Sequence, residues 1–426
     1  MKLLIHSCDQ VVTVIRDDDN RSVLTGPFMR NIQVLEQDIA IAVDEDGTVP
    51  STADARVRWN DSEFEDVIDA KGKCVLPGFV DAHTHPVWAG DRVHEFAMKL
   101  AGATYLEIHE AGGGIHFTVD KTVKTSQEDL YQSLKDRLTK MLNAGTTTVE
   151  CKTGYGLEMD AELKLLEVLQ RAKRELPIEI SITFCGAHAV PRNKTAEEAT
   201  KDIVKQQIPR LRNLMVKQMI NIENIDVFCE KGIFDTEQSK RILEAGRDIG
   251  LRINFHGDEL NPIEETRMGA EIGATAISHL EEVSEQGIED MAAAAVVAVL
   301  LPTTAYIMKL NPPPTRQLIE QAVPVALGSD FNPNAYCFDM ATVMNLACII
   351  LGMSMQEALV AATLNAAASL GRGKTHGAIQ KGRIGDFVII NTNRWEHIIY
   401  QMSSHHHLID YVVKKGKVVY RKDENH

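Results

Sequence analysis

The chain has little of what marks several large function classes. Its seven cysteines, at 8, 74, 151, 185, 229, 337 and 348, are odd in number, widely spaced and free of any CxxC pair. Neither a disulfide framework nor a thiolate zinc site is indicated, and a reducing compartment, the cytoplasm, is expected. Lysine and arginine form no cluster, and 45 basic against 60 acidic residues leave a formal charge of −15. That balance argues against a nucleic-acid partner. The longest apolar run, residues 291–301, is about half of what crossing a bilayer requires, and reads as a buried strand with the end of the helix before it. No membrane association is expected. The opening Met1-Lys-Leu-Leu-Ile patch is broken by His6, Cys8 and Asp9 before it could form a signal h-region, so secretion is not expected either.

What is present is a rhythm. The stretch 74–86 and the segments 147–151, 179–184, 224–229, 251–255, 274–278, 295–301 and 323–327 read as strands, with helix-like stretches such as 160–175, 236–249 and 264–272 between them. Strand and helix alternating in this way predict a (β/α)8 TIM barrel, whose usual size of about 250 residues suits the span from 75 to 370. The chain ends differ: 1–70 and 377–420 both read as β, with strands at 387–390, 408–413 and 417–420. The economical arrangement is a small β-sandwich from residues 1–72 and 375–426 beside a barrel of residues 73–374.

Polar, reactive residues follow each predicted strand at once: DAHTHP, ECKTGYG, CGAHAVP, CEKG, HGDE, SHLEE, LPTTAY and GSDFNPNA. His83 and His85 stand two apart, so on a strand they project the same way and can hold one ion. A bare HxH means little among 15 histidines, but the C-terminal end of a barrel strand is where chemistry sits. The same ends carry His188, His256, Glu259, His279 and Asp330. Imidazoles with a carboxylate suit one divalent or trivalent ion, zinc or iron, better than calcium or magnesium. Glu259 lies three residues past His256, close enough to take a proton from water acidified by the ion without being a ligand.

Together PGFVDAHTH, HGDE, SHLEE and GSDFNP resemble the amidohydrolase superfamily. A finer match runs through DAHTHPVWAGDRVHEF, GATYLEI, AGGGI, TTTVECKTGYGL, GAHAVP, DVFCEKGIF, HGDEL, LLPTTAY and GSDFNPNA. It spans residues 76–336 and resembles one branch of the superfamily that hydrolyses a cyclic amide bearing a propionate arm. The resemblance implies metal ligation by His83, His85, His256 and Asp330, and catalytic roles for Glu259, His279 and Asp330. It also implies contacts of a small-molecule substrate or its product with Arg92, Tyr155, His188, Glu259, Asn332, Asn334 and Ala335, and a homodimer. Asn334 stands where many members carry glycine, which puts its φ angle in question.

Plainer readings compete at each position. His83 and His85 could face water, His256 could be a buried hydrogen-bonded histidine, and Asp330 a helix cap. Arg92 could pair with Asp91 or Glu95. Tyr155, between two glycines, could be an exposed turn residue, and Gly112, Gly113 and Gly114 either a flexible turn or a lid over the ligand. His94, His109 and His116 read as structural, and His405, His406 and His407 as a polar surface turn. Lys231 lies near the place where two-metal members carry a carboxylated lysine, although the Glu259 spacing favours one ion. Two further functions stay open: deamination of a nucleobase such as cytosine or guanine by the same residue set, which Arg92 discriminates, and a non-catalytic oligomeric scaffold, which had no need to keep these ligands.

Overall fold

The computed structural model describes residues 1–50, 60–103, 107–108, 112–402 and 404–422, and residues 52–54 by their backbone. His109 lies outside them, as do parts of the GATYLEI and AGGGI motifs. Strands β1 (Leu3–Val14), β2 (Gln33–Val43), β3 (Thr52–Asp54), β4 (Asp66–Asp69) and β5 (Cys74–Pro77) precede the barrel. The barrel strands are β6 (Phe79–Asp81), β7 (Thr146–Lys152), β8 (Glu179–Ala187), β9 (Asn224–Val227), β10 (Arg252–Gly257), β11 (Ala276–His279), β12 (Val297–Leu300) and β13 (Val325–Leu327). They lie side by side in chain order, every pair parallel. The ring closes where Thr84 bridges Phe331 and the Asp330 amide donates to the His83 carbonyl at 2.9 Å. Helices at Met159–Glu175, Thr236–Arg247 and Glu265–Glu271 fall where the periodicity places them.

The first predicted strand is two strands in two sheets. Cys74–Pro77 joins the chain-end sheet, pairing with β1 and with β14 (Phe387–Ile390), whereas Phe79–Asp81 opens the barrel beside β7. The switch falls at Gly78, where a Cβ would lie 2.2 Å from Thr147 Oγ1. Only glycine lets the chain pass so close to β7 as it changes sheets.

The chain ends form one mixed eight-stranded sheet, completed by β14, β15 (Ile409–Lys414) and β16 (Lys417–Arg421), with an apolar core of its own that includes Leu3, Ile41, Phe387 and Ile389. A single sheet can do the work of a sandwich because β1 is long and irregular. Its register against β2 shifts between Ile5 and Cys8 and again near Gln10, and along its other edge its start pairs with β4 and its later part with β5. His405–Leu408 is a helical turn rather than a loose surface turn, and His405 is buried against Asp339. A polar tract in sequence conceals that ion pair because Asp339 is remote in the chain. Among the described residues no helix is long and apolar enough to cross a membrane.

One buried charge cluster ties the two sheets together. Glu179, at the start of β8, meets Arg372 at 2.9 Å, His376 at 3.2 Å and Lys414 of β15 at 3.1 Å. Burial alone would raise the Glu179 carboxyl, but the hydrogen bond from His376 and the Lys414 charge hold it well below the ordinary glutamate value. Its stabilisation is therefore complete above about pH 4.5 and fades as pH falls below that. Glu179→Ala is expected to cost about 1–3 kcal/mol, since the cluster loses its shared carboxylate while Arg372 keeps Glu223 and Lys414 keeps Asp386. Urea unfolding at pH 7 and pH 4 checks both statements, with the gap between wild type and variant narrowing in acid.

Candidate metal and substrate site

The reactive side chains converge at the C-terminal ends of the barrel strands. His83 and His85 leave β6, His256 is the penultimate residue of β10, His279 ends β11, and Asp330 follows β13. Asp330 Oδ1 lies 3.6 Å from His83 Nε2 and 3.7 Å from His85 Nε2, and His85 Nε2 lies 3.1 Å from His256 Nε2. Among the described residues, donor atoms within 4.8 Å of one another form three overlapping groups: His83, His85 and Asp330; His83, His256 and His279; His85, His188 and His256.

The donor chemistry fits a borderline-soft cation. Burial holds His83, His85 and His279 well below the ordinary histidine value and His188 at about 3, so these rings are neutral and each offers a lone pair. His83 Nε2 is buried with no hydrogen-bond partner. Its other nitrogen bonds Ser278 Oγ at 2.8 Å, and His256 Nδ1 donates to Asp226 Oδ1 at 2.8 Å. Each bond fixes which nitrogen is left to face the centre, the usual arrangement behind metal-ligating imidazoles. Asp226 in turn pairs with Lys152 at 2.5 Å, and Lys152 with Glu150 at 2.7 Å, all beneath the site.

The backbone is bent to present these groups. His279 and Leu280 have φ of 82° and 71°, Asp330 48° and Asp258 51°, left-handed values that cost energy for residues with a Cβ. Such strain persists where surrounding structure enforces it, and here it falls on the strand ends that carry the candidate ligands and Glu259. Glu259 is buried on the cavity wall, with Oε2 3.5 Å from His279 Nε2. Burial first, then the neighbouring Glu281, Asp330 and Glu230 charges, push its carboxyl well above the ordinary value.

The same cavity is lined by Arg92, Tyr155, His188, Asn332 and Asn334. Tyr155 is buried rather than exposed, and His188 stacks on His85 with ring centroids 4.5 Å apart while its Nδ1 donates to the Gly154 carbonyl at 3.0 Å. Arg92 is buried and pairs with Glu95, two of its nitrogens lying 2.8 Å from Glu95 Oε2. It thus both lines the cavity and takes the plainer partner. Asn334 does not have a positive φ, so asparagine fits without strain. Ala335 is buried off the cavity wall, its amide donating to Asn332 Oδ1 at 3.1 Å. Gly114 opens a helix, Gly114–Lys124, and its amide donates to Glu95 Oε1 at 2.8 Å, so this glycine braces the Arg92 partner. Lys231 is exposed and lines no part of the cavity, which removes it as a metal bridge. Glu150, Lys152 and Ser278 stand in the strand-end segments ECKTGYG and SHLEE without an assigned role, and Asp226 is not singled out, although polar residues inside apolar strands are themselves a signal.

Comparison with known proteins establishes family and fold. The model of the amidohydrolase family matches residues 74–419. A human protein named probable imidazolonepropionase is 55% identical over 422 residues, covering 98% of each chain. A probable imidazolonepropionase of Dictyostelium discoideum is 52% identical, again over 98% of each. Among solved structures, a variant of the atrazine chlorohydrolase of Arthrobacter aurescens, complexed with zinc and atraton, matches with a TM-score of 0.75 at 17% identity, covering 98% of this chain and 95% of that one. A zinc-bound adenosine deaminase of Xanthomonas campestris matches with a TM-score of 0.73 at 18% identity, covering 98% and 92%. At such identities the solved structures speak for the barrel and its appended sheet alone, whereas the family model and the full-length relatives speak for descent. This chain belongs to the amidohydrolase family.

Proposed function

We propose that the chain hydrolyses 4-imidazolone-5-propanoate to N-formimidoyl-L-glutamate, the imidazolonepropionase reaction of histidine degradation, with one zinc or iron ion held by His83, His85, His256 and Asp330. The barrel residues 73–374 carry the chemistry in a cytoplasmic homodimer, and residues 1–72 and 375–426 support it. The observation that carries the reading is a single cavity joining the imidazole and carboxylate donors to a buried arginine. The full-length relatives of that name support the substrate.

The ion, when bound, supplies an acidified water and polarises the ring carbonyl. Arg92 grips the propionate through donors that Glu95 leaves open. His279, neutral and beside Glu259, hydrogen-bonds the carbonyl oxygen as it gains charge. Glu259 takes the proton of the attacking water and hands it to the ring nitrogen as the C–N bond breaks. Tyr155 and His188 hold the ring against the wall formed by His85.

Metal-replete protein incubated separately with imidazolonepropanoate and with cytosine should consume the first and spare the second. Arg92→Ala should raise KM for the first about 50-fold, the loss expected for a charge-assisted bidentate contact. Consumption of cytosine instead would establish the deaminase reading. Unchanged kinetics in the variant would remove the propionate clamp.

A further inference from the structure

A second cation, Lys99, stands one contact behind the cavity wall that Arg92 lines. The Glu95 carboxylate sits on the Arg92 guanidinium at 2.8 Å, and both are buried, so the pair is close to neutral as a unit. A neutral pair orients a carboxylate well but attracts it weakly. Helix α1 (Val93–Leu100) starts at this arginine, and Lys99 follows it by seven residues, two turns on and on the same face. Lys99 is half-buried, and its ammonium donates to Asn334 Oδ1, the side chain of a residue that lines the cavity.

We propose that Lys99 is a second carboxylate-binding cation of this site, adding, beside the Arg92–Glu95 pair, positive charge that selects a substrate with an anionic arm. The inference rests on the activity proposed above and names a specificity residue for it. An ammonium has three donors, and among the described residues the Asn334 contact uses one. Burial, then the Arg92 charge, pull the Lys99 ammonium down to about 8, while Glu95 opposes them, so it is protonated at neutral pH.

The test is steady-state kinetics of metal-loaded wild type, Lys99→Met and Lys99→Arg on imidazolonepropanoate and on its neutral propionamide analogue. Lys99→Met should raise KM for the acid by at least about 10-fold, leave kcat within about twofold, and leave the amide unaffected. Lys99→Arg should restore most of the KM, which a loss of folding would not allow. An acid KM in Lys99→Met within twofold of an active wild type overturns the proposal, as does an equal loss on acid and amide, which would make Lys99 a packing residue. A wild type inactive on the acid overturns the activity reading itself, a result distinct from either.

Discussion

Glu259→Gln is expected to keep its metal and lose turnover by about 10³-fold, the middle of the range for removing a general acid-base group. The substitution is nearly isosteric and keeps hydrogen-bonding capacity, so only the ability to carry a proton is lost. Among the described residues Glu259 is in none of the groups of converging donors, and it stands beside His279. The left-handed backbone at Asp258 turns the chain between His256 and Glu259, so that one strand end can serve both the proposed ligand and the proposed acid-base group. Burial, then Glu281, Asp330 and Glu230, raise the Glu259 carboxyl well above the ordinary glutamate value, so it holds a proton more readily than a solvated carboxylate. Elemental analysis and kcat measured on the same preparation decide the matter. Metal lost together with turnover would make Glu259 a ligand and return the acid-base role to His279 or Asp330.

The barrel and its catalytic ends were legible because both rest on short-range rules. Buried parallel strands read as apolar runs, and a barrel loads its reactive residues just past them. His83, His85, His256 and Asp330 follow that pattern and meet within a few ångströms. What escaped lies inside the strands. In β7, Thr146, Thr148, Glu150 and Lys152 alternate with residues such as Val149 and Cys151, which belong to the main apolar core. That period-two pattern places four polar side chains on one face of a strand otherwise taken as wholly apolar, and the partners of Glu150 and Lys152 come from β8 and β9. Pairings of such sequence separation leave no local trace. The same holds for β1, which pairs along one edge with β4 and then β5, turning an expected sandwich into one sheet.

Asp226 is the residue of this hidden layer whose loss should be felt most widely. Its two oxygens do different work: Oδ1 takes the proton of His256 Nδ1 at 2.8 Å, and Oδ2 meets the Lys152 ammonium at 2.5 Å. Burial opposes its charge, but His256 and Lys152 win, and the carboxyl is held at about 2. Asp226→Ala should therefore weaken metal binding by about 10- to 100-fold, because His256 loses the bond that orients its ring and sets its tautomer. It should also destabilise the fold by about 3–5 kcal/mol, because a buried lysine keeps only Glu150 as a counter-charge. The two effects separate experimentally: competition with a chromophoric chelator reads the affinity, and urea unfolding with excess chelator reads stability without the contribution of bound metal. Asp226→Asn retains an acceptor for His256 but not the charge facing Lys152, so it should keep most of the affinity and lose most of the stability. An alanine variant that binds metal as tightly as wild type would show that His256 is oriented by the barrel wall itself, not by the carboxylate behind it.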